Sequence, residues 1–297
     1  MTERRSLLAG FAAAALALTL TVDADARTRK KPAPVDPAIT AVQQLDAETA
    51  AALDAAIAGA HRSDTNKARD QYRNPKQTLA FFGLTTSAKV LEVNPGGGWY
   101  TEVLAPTLRE KGQLYVTGGN PNGPGRQGLS NLLGKFAKDP KVYDKVQFTG
   151  SWQAEANRIQ PGSLDMVVTF RNVHNFVYNK QAEQLFKDWY AFLKPGGVLG
   201  IEEHRWPEGV PNTIKPPNGA AGNGYMTESE VIALATAAGF KLAAKSEINA
   251  NPKDPRDHAA GVWALPPTLA NGETDRAKYL AIGESDRMTL KFVKPAV

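Results

Sequence analysis

The sequence predicts an α/β protein, with seven strands in one mostly parallel sheet, helices on both faces and an antiparallel edge strand at its end. Three observations carry this reading. Apolar runs of strand length alternate with helix-patterned segments along most of the 297 residues. Three glycines, Gly96 to Gly98, stand between the first such run and the helix that follows it. With 42% hydrophobic residues, the chain is long enough to bury both faces of a sheet.

Residues 1–26 combine a cationic start at Arg4 and Arg5, an apolar stretch, and small residues at Ala24 and Ala26. These are the three parts of a secretory signal, so cleavage after Ala26 and a periplasmic or secreted location are expected. The arginine pair also loosely resembles a twin-arginine export signal. Residues 27–37 form a basic, proline-rich leader, which reads as extended. Residues 38–297 read as a single domain that opens with a helical cover over 38–60, where Ile39, Val42, Leu45, Leu53 and Ile57 fall near helical spacing.

Strands are expected over 89–93, 113–117, 145–148, 164–170, 198–203, 241–248 and 288–293, where apolar runs are bounded by glycine and polar residues. Helices are expected over 100–110, 129–138, 180–193 and 227–238. Thr227 followed by Glu230 spells a capping box, and Gly239 supplies the stop. The last connection reads as unhelical. Residues 249–286 have loop composition and read as an insertion, a lid or binding loop that carries His258 and Trp263.

Composition excludes several functions. The net charge of +5 is spread among interspersed acids and bases, which suggests no nucleic-acid surface. No second long apolar stretch follows the signal, so no membrane span is expected after cleavage. The absence of cysteine excludes disulfides, thiolate metal sites and a cysteine nucleophile.

The turn in "KVLEVNPGGGWYTEVLA" is the strongest chemical signal. Counted from Gly96, the third glycine of a dinucleotide fingerprint falls on Thr101, so a nicotinamide enzyme is disfavoured. An acid followed by alternating small residues, Glu92, Asn94, Gly96 and Gly98, instead resembles the first motif of class I S-adenosylmethionine-dependent methyltransferases. "SLDMVVTFRNVHNF" and "FLKPGGVLGIEEHRW" are similar to that superfamily's fourth strand and its turn into the fifth. "RDQYRNPKQTLAFFGL" and "ESDRMTLKFVKP", with the export signal, resemble a group of secreted bacterial predicted methyltransferases.

The resemblance implies the Rossmann-like fold of that superfamily and S-adenosyl-L-methionine as cofactor. It implies that Glu92 receives the ligand's ammonium group, that Asn94, Gly96, Gly97 and Gly98 form the turn beneath it, and that Trp99 and Tyr100 flank it or pack against the sheet. Asparagine tolerates a left-handed backbone, so Asn94 can stand where the family has its first glycine. Gly118 aligns with the family's ribose-binding acid, and Ser151 and Trp152 with its adenine contacts. Arg171, like Arg69 and Arg73, is a candidate partner for the ligand carboxylate.

His174 and Asn175 in "RNVHNF" and His204 in "EEHRW" follow neighbouring strands at the expected mouth. A histidine there suits proton removal from an acceptor. Adjacent Glu202 and Glu203 point to opposite faces of a strand, so at most one faces that mouth. Without an i, i+4 histidine pair or a cysteine, no metal site is expected. The expected function is a secreted methyltransferase acting on a small molecule or an envelope component. The alternative is a non-catalytic or degenerate ligand-binding protein of the same fold, which Asn94, Gly118 and Gly150 would suit.

Overall fold

A computed structural model describes residues 44–117, 126–150, 158–214 and 222–296, which belong to one compact unit, Asp36–Val297. The expected signal, the leader and the start of the helical cover lie outside the described residues, as do Gly118, Ser151 and Trp152. Among the described residues, no helix is long and apolar enough to cross a membrane.

Four helices precede the sheet. Helix α1 (Ala47–Ala58) begins where the Asp46 side chain accepts from the Thr49 amide at 2.7 Å, and it buries Leu53 and Ala56. Two single turns, α2 (Asp64–Lys67) and α3 (Asp70–Arg73), lead to α4 (Pro75–Phe82). Pro75 opens α4, where its missing N–H costs nothing, and Gly83 closes it at φ 85°. Its Leu79, Ala80, Phe81 and Phe82 are all buried.

The sheet strands are β1 (Lys89–Val93), β2 (Gln113–Thr117), β3 (Gln147–Thr149), β4 (Leu164–Phe170), β5 (Leu193–His204), β6 (Lys241–Ser246) and β7 (Arg287–Val293). Their spatial order is β3-β2-β1-β4-β5-β7-β6. The first five are mutually parallel, whereas β7 runs antiparallel to β5 and β6 on either side of it. The antiparallel strand thus lies one place in from the edge. The chain steps outward from β1 to β3 and returns to β4 on the other side of β1. That reversal opens a crevice beyond the carboxyl ends of β1 and β4.

Between the strands lie α5 (Thr101–Leu108), α6 (Arg126–Lys138), α7 (Pro140–Tyr143), α8 (Val173–Tyr178), α9 (Ala182–Phe192), α10 (Glu228–Ala237) and α11 (Arg276–Ile282). One apolar cluster joins α1, α4, α5, α6 and α7 to one sheet face, and a second joins α8, α9 and α10 to the other. Coverage on both faces explains why β4 is apolar almost throughout. The capping box at Thr227 and Glu230 is present.

Several expectations are corrected. β5 starts at Leu193, because the turn before Val198 also pairs, with Leu193 opposite Leu164. The last connection is not unhelical: it holds a 3-10 turn (Gly261–Ala264) and α11. The segment over 249–286 is anchored, since buried Asp254 accepts from Tyr225 Oη at 2.8 Å and from the Asp286 amide at 2.8 Å, and hydrogen-bonds His258 Nε2 at 2.9 Å.

Gly200 in β5 sits against α4. A Cβ there would lie 2.7 Å from the Phe82 ring. Gly200→Val should therefore lower unfolding stability by about 1–3 kcal/mol or more in denaturant titrations, through overpacking alone.

Candidate functional site

The glycine turn occupies the crevice between β1 and β4. Asn94 (φ 49°), Gly96 (φ 58°) and Gly98 (φ 76°) are all left-handed, a conformation that asparagine tolerates better than most residues. The Asn94 amide donates to Thr117 Oγ1 at the end of β2 (2.7 Å), and its carbonyl accepts from Asn172 Nδ2 beyond β4 (3.1 Å). Sequence reasoning passed over Asn172. A Cβ on Gly96 or Gly97 would meet nothing within 4 Å, whereas one on Gly98 would lie 2.8 Å from Leu132. Among the described residues the first two glycines leave open space, and the third allows close packing of α6.

Glu92 is not presented to the crevice as expected. It is 1% exposed, and its carboxylate accepts from Thr101 Oγ1 at 2.6 Å. The hydroxyl of Thr101, the first residue of α5, thus ties the Glu92 carboxylate to that helix. Trp99 and Tyr100 pack against the sheet side. Trp99 donates to the Asn66 carbonyl (3.0 Å) and lies under the Arg62 and Arg73 guanidiniums. Tyr100 is stacked on Phe170 and donates to the Arg73 carbonyl (3.0 Å).

The three candidate arginines pair with protein carboxylates. Arg69 Nε donates to Glu284 (2.7 Å), Arg73 Nε to the same carboxylate (3.0 Å), and Arg171 Nη1 to Glu202 (3.1 Å). Arg287 Nη1 bridges both, at 2.7 Å to Glu202 and 3.2 Å to Glu284. Burial alone would push these carboxyls up. The surrounding guanidiniums, Arg287 foremost, outweigh it and hold Glu202 below its usual value and Glu284 at about 2. Burial, with Arg171 close by, lowers Arg73 to about 9.

On the opposite face of β5, Glu203 gathers the other candidates. Its Oε2 accepts from the Val173 amide (2.5 Å), and its Oε1 accepts from His174 Nδ1 (2.9 Å) and the His204 amide (2.8 Å). The rings of His174 and His204 are 5.4 Å apart, so the two histidines do share one site. Burial and the neighbouring His174 hold His204 well below the usual histidine value, hence neutral, and its Nδ1 hydrogen-bonds Ser285 Oγ at 2.5 Å. Asn175 is not part of this group. It lies half-buried in α8 with its carbonyl accepting from Asn179. Sequence reading left open which of the two glutamates faces inward. The strand's alternation makes it Glu203 for the histidines and Glu202 for the arginines.

His174 lines a cavity of about 370 Å³ whose walls include Tyr178, Trp206, Ile214, Tyr225 and Met226, with Asn212 and Asn223 as polar groups. Trp263, from the anchored 249–286 segment, stands 6.0 Å from the His174 ring. His61 and His258 are structural: His61 Nε2 meets the Glu102 carbonyl at 2.7 Å, and His258 belongs to the Asp254 anchor.

Burial pushes the Glu92 carboxyl up to about 7, against the opposing pull of Thr101, Lys135 and Arg171. Between the unfolded value and 7 the folded protein keeps a proton that the unfolded chain releases, so stability falls as pH rises through that window. Glu92→Gln removes this loss of about 3 kcal/mol. In urea unfolding the variant should match wild type near about pH 4 and exceed it near about pH 8. For the turn, Gly97→Ala should change stability by less than about 0.5 kcal/mol, and Gly98→Ala should lower it by about 1–3 kcal/mol.

No family model and no curated protein matches this sequence. Solved structures do. A SAM-dependent methyltransferase from Aquifex aeolicus is similar at 16% identity and TM-score 0.50, over 76% of this chain and 93% of that one. The [4+2]-cyclase SpnF is similar at 13% identity and TM-score 0.54, over 84% and 94%. A Galdieria sulphuraria protein described as a sarcosine dimethylglycine methyltransferase is similar at 15% identity and TM-score 0.51, over 77% and 87%. At such identities the likeness speaks to architecture, and it agrees with the strand order and the turn at the β1–β4 crevice: the chain has the fold of the class I S-adenosylmethionine-dependent methyltransferases.

Proposed function

We propose that the protein is an S-adenosylmethionine-dependent methyltransferase, exported by its N-terminal segment, that acts on a small molecule or an envelope component. The observation that carries this is the left-handed turn from Asn94 to Gly98 at the β1–β4 crevice, with open space over Gly96 and Gly97 among the described residues. A cradle without side chains lets a ligand approach the backbone, and the amides at the start of α5 lie beside it. The residues present therefore fit the cofactor, with Asn94, Gly96 and Gly97 beneath it and Asn172 holding the turn to β4. S-adenosylmethionine supplies a methyl group on a sulfonium, which an acceptor lone pair attacks as the carbon–sulfur bond breaks.

The chain's own part is mainly positioning. The cavity beside His174 offers aromatic and aliphatic walls and a few amides, which suits a compact acceptor with an apolar body. Glu203 orients the His174 ring through Nδ1, leaving Nε2 to take a proton from an acceptor hydroxyl or amine as the methyl arrives.

Titration of S-adenosylmethionine into residues 27–297, stripped of copurified ligand, should give micromolar or tighter binding. No binding at millimolar ligand, with the fold verified, would remove the methyltransferase reading in favour of a ligand-binding protein of this fold. In transfer of labelled methyl groups into envelope extracts, His174→Asn should reduce incorporation by about 10²-fold or more while cofactor affinity stays unchanged. Loss of affinity instead would place His174 in binding.

A further inference from the structure

We propose that His174, Glu203 and His204 form a binding site for a first-row divalent transition-metal ion. One ligand atom from each of these side chains lies within 4.8 Å of the other two, and ligation at about 2.0–2.2 Å would draw them together around a common ion. Two imidazoles and one carboxylate suit zinc, cobalt or iron, and three protein ligands leave positions open.

Four other buried carboxylates have lysine or arginine partners, whereas Glu203, like Glu92 and Asp254, has no such ion pair among the described residues. Glu202 and Glu284 face arginines, Glu102 faces Lys135 and Arg62, and Asp286 faces Arg205 and Arg256. Glu203 is fully buried, and the basic side chain paired with it is a histidine. Its remaining partners are backbone amides, including those of Val173 and His204. Arg171 and Arg287, which also act on His204, are paired with Glu202 on the other face of β5. A cation here would meet a buried carboxylate that, among the described residues, is balanced by hydrogen bonds and one histidine alone.

Two of the ligands are also held by outer partners, as metal ligands generally are, while His174 Nδ1 meets Glu203 itself. Ser285 fixes the His204 ring through Nδ1, and the amides at the start of α8 fix the Glu203 carboxylate. Two ligands are adjacent at the end of β5, and the third begins α8, so the strand and helix set their spacing. The His174 side chain reaches the cavity described above.

The site stands independently of the methyl-transfer reading, and it deepens that reading by making the acceptor an oxygen donor. With the ion bound, His174 would serve as a ligand in place of the base described above, and the ion would lower the pKa of an acceptor hydroxyl in an open position.

The test is a cobalt(II) titration of residues 27–297 after treatment with a chelator, without S-adenosylmethionine. One equivalent should bind with the visible bands of imidazole-coordinated cobalt, and zinc should displace it. His174→Asn and His204→Asn should each weaken binding by about 10–100-fold, and the double variant should abolish it, with circular dichroism showing the fold intact. No stoichiometric binding, or an unchanged cobalt spectrum in the double variant, would overturn the proposal. Because cobalt and cofactor are titrated separately, either reading can fail while the other survives.

Discussion

The buried ion network centred on Arg287 is the constraint on which the rest of the structure depends. Arg287 is 1% exposed, at the start of β7, and it contacts Glu202 in β5, Glu284 in the preceding connection and the Tyr72 carbonyl in α3. Taking such charges out of water costs several kcal/mol per ion, which only good geometry and complete hydrogen bonding offset. Packing alternatives that separate Arg287 from its partners leave buried charges unpaired. The network therefore selects one arrangement of the N-terminal helices against the sheet. Arg69, Arg73 and Arg171 converge on the same two carboxylates, so four segments distant in sequence meet where β1, β4 and β5 end.

From that anchor, β5 divides the chemistry between its two faces. Glu202 turns toward the arginines and Tyr100, and Glu203 turns toward α8 and the histidines. The difference of one residue separates a region held by permanent cations from one held by backbone amides and neutral or titratable rings. The first pairs its carboxylates with arginines, although Arg69 Nη2 has no hydrogen-bond partner among the described residues. The second keeps coordinating capacity and adjoins a cavity, so the two adjacent glutamates have unrelated tasks.

What the sequence made legible follows from the range of the interactions. β1, β2 and β4 were readable to the residue because their apolar runs end at glycine or polar residues. The capping box at Thr227 and the left-handed Asn94 were readable because they depend on neighbours in the chain. The pairing of Arg69 with Glu284, 215 positions apart, leaves no local trace, and the arginines therefore looked available to a ligand. Glu92 was misplaced for a related reason, since its burial is decided by tertiary packing around β1. The short helices α3 and α8 are set by tertiary contacts, with Glu203 from β5 capping α8. The histidine pair was legible from topology alone, because parallel neighbouring strands end at the same edge.

The place of β7 in the sheet also governs the order of assembly. It is the last strand in sequence, yet it lies between β5 and β6 and brings Ser285, Asp286 and Arg287 beside His204 and Arg205. During synthesis, β6 has no partner in the sheet until β7 emerges, and the face of β5 that β7 will cover stays open until then. A growing chain can complete the β1–β4 crevice early, but the histidine edge is finished only once the residues of β7 have emerged.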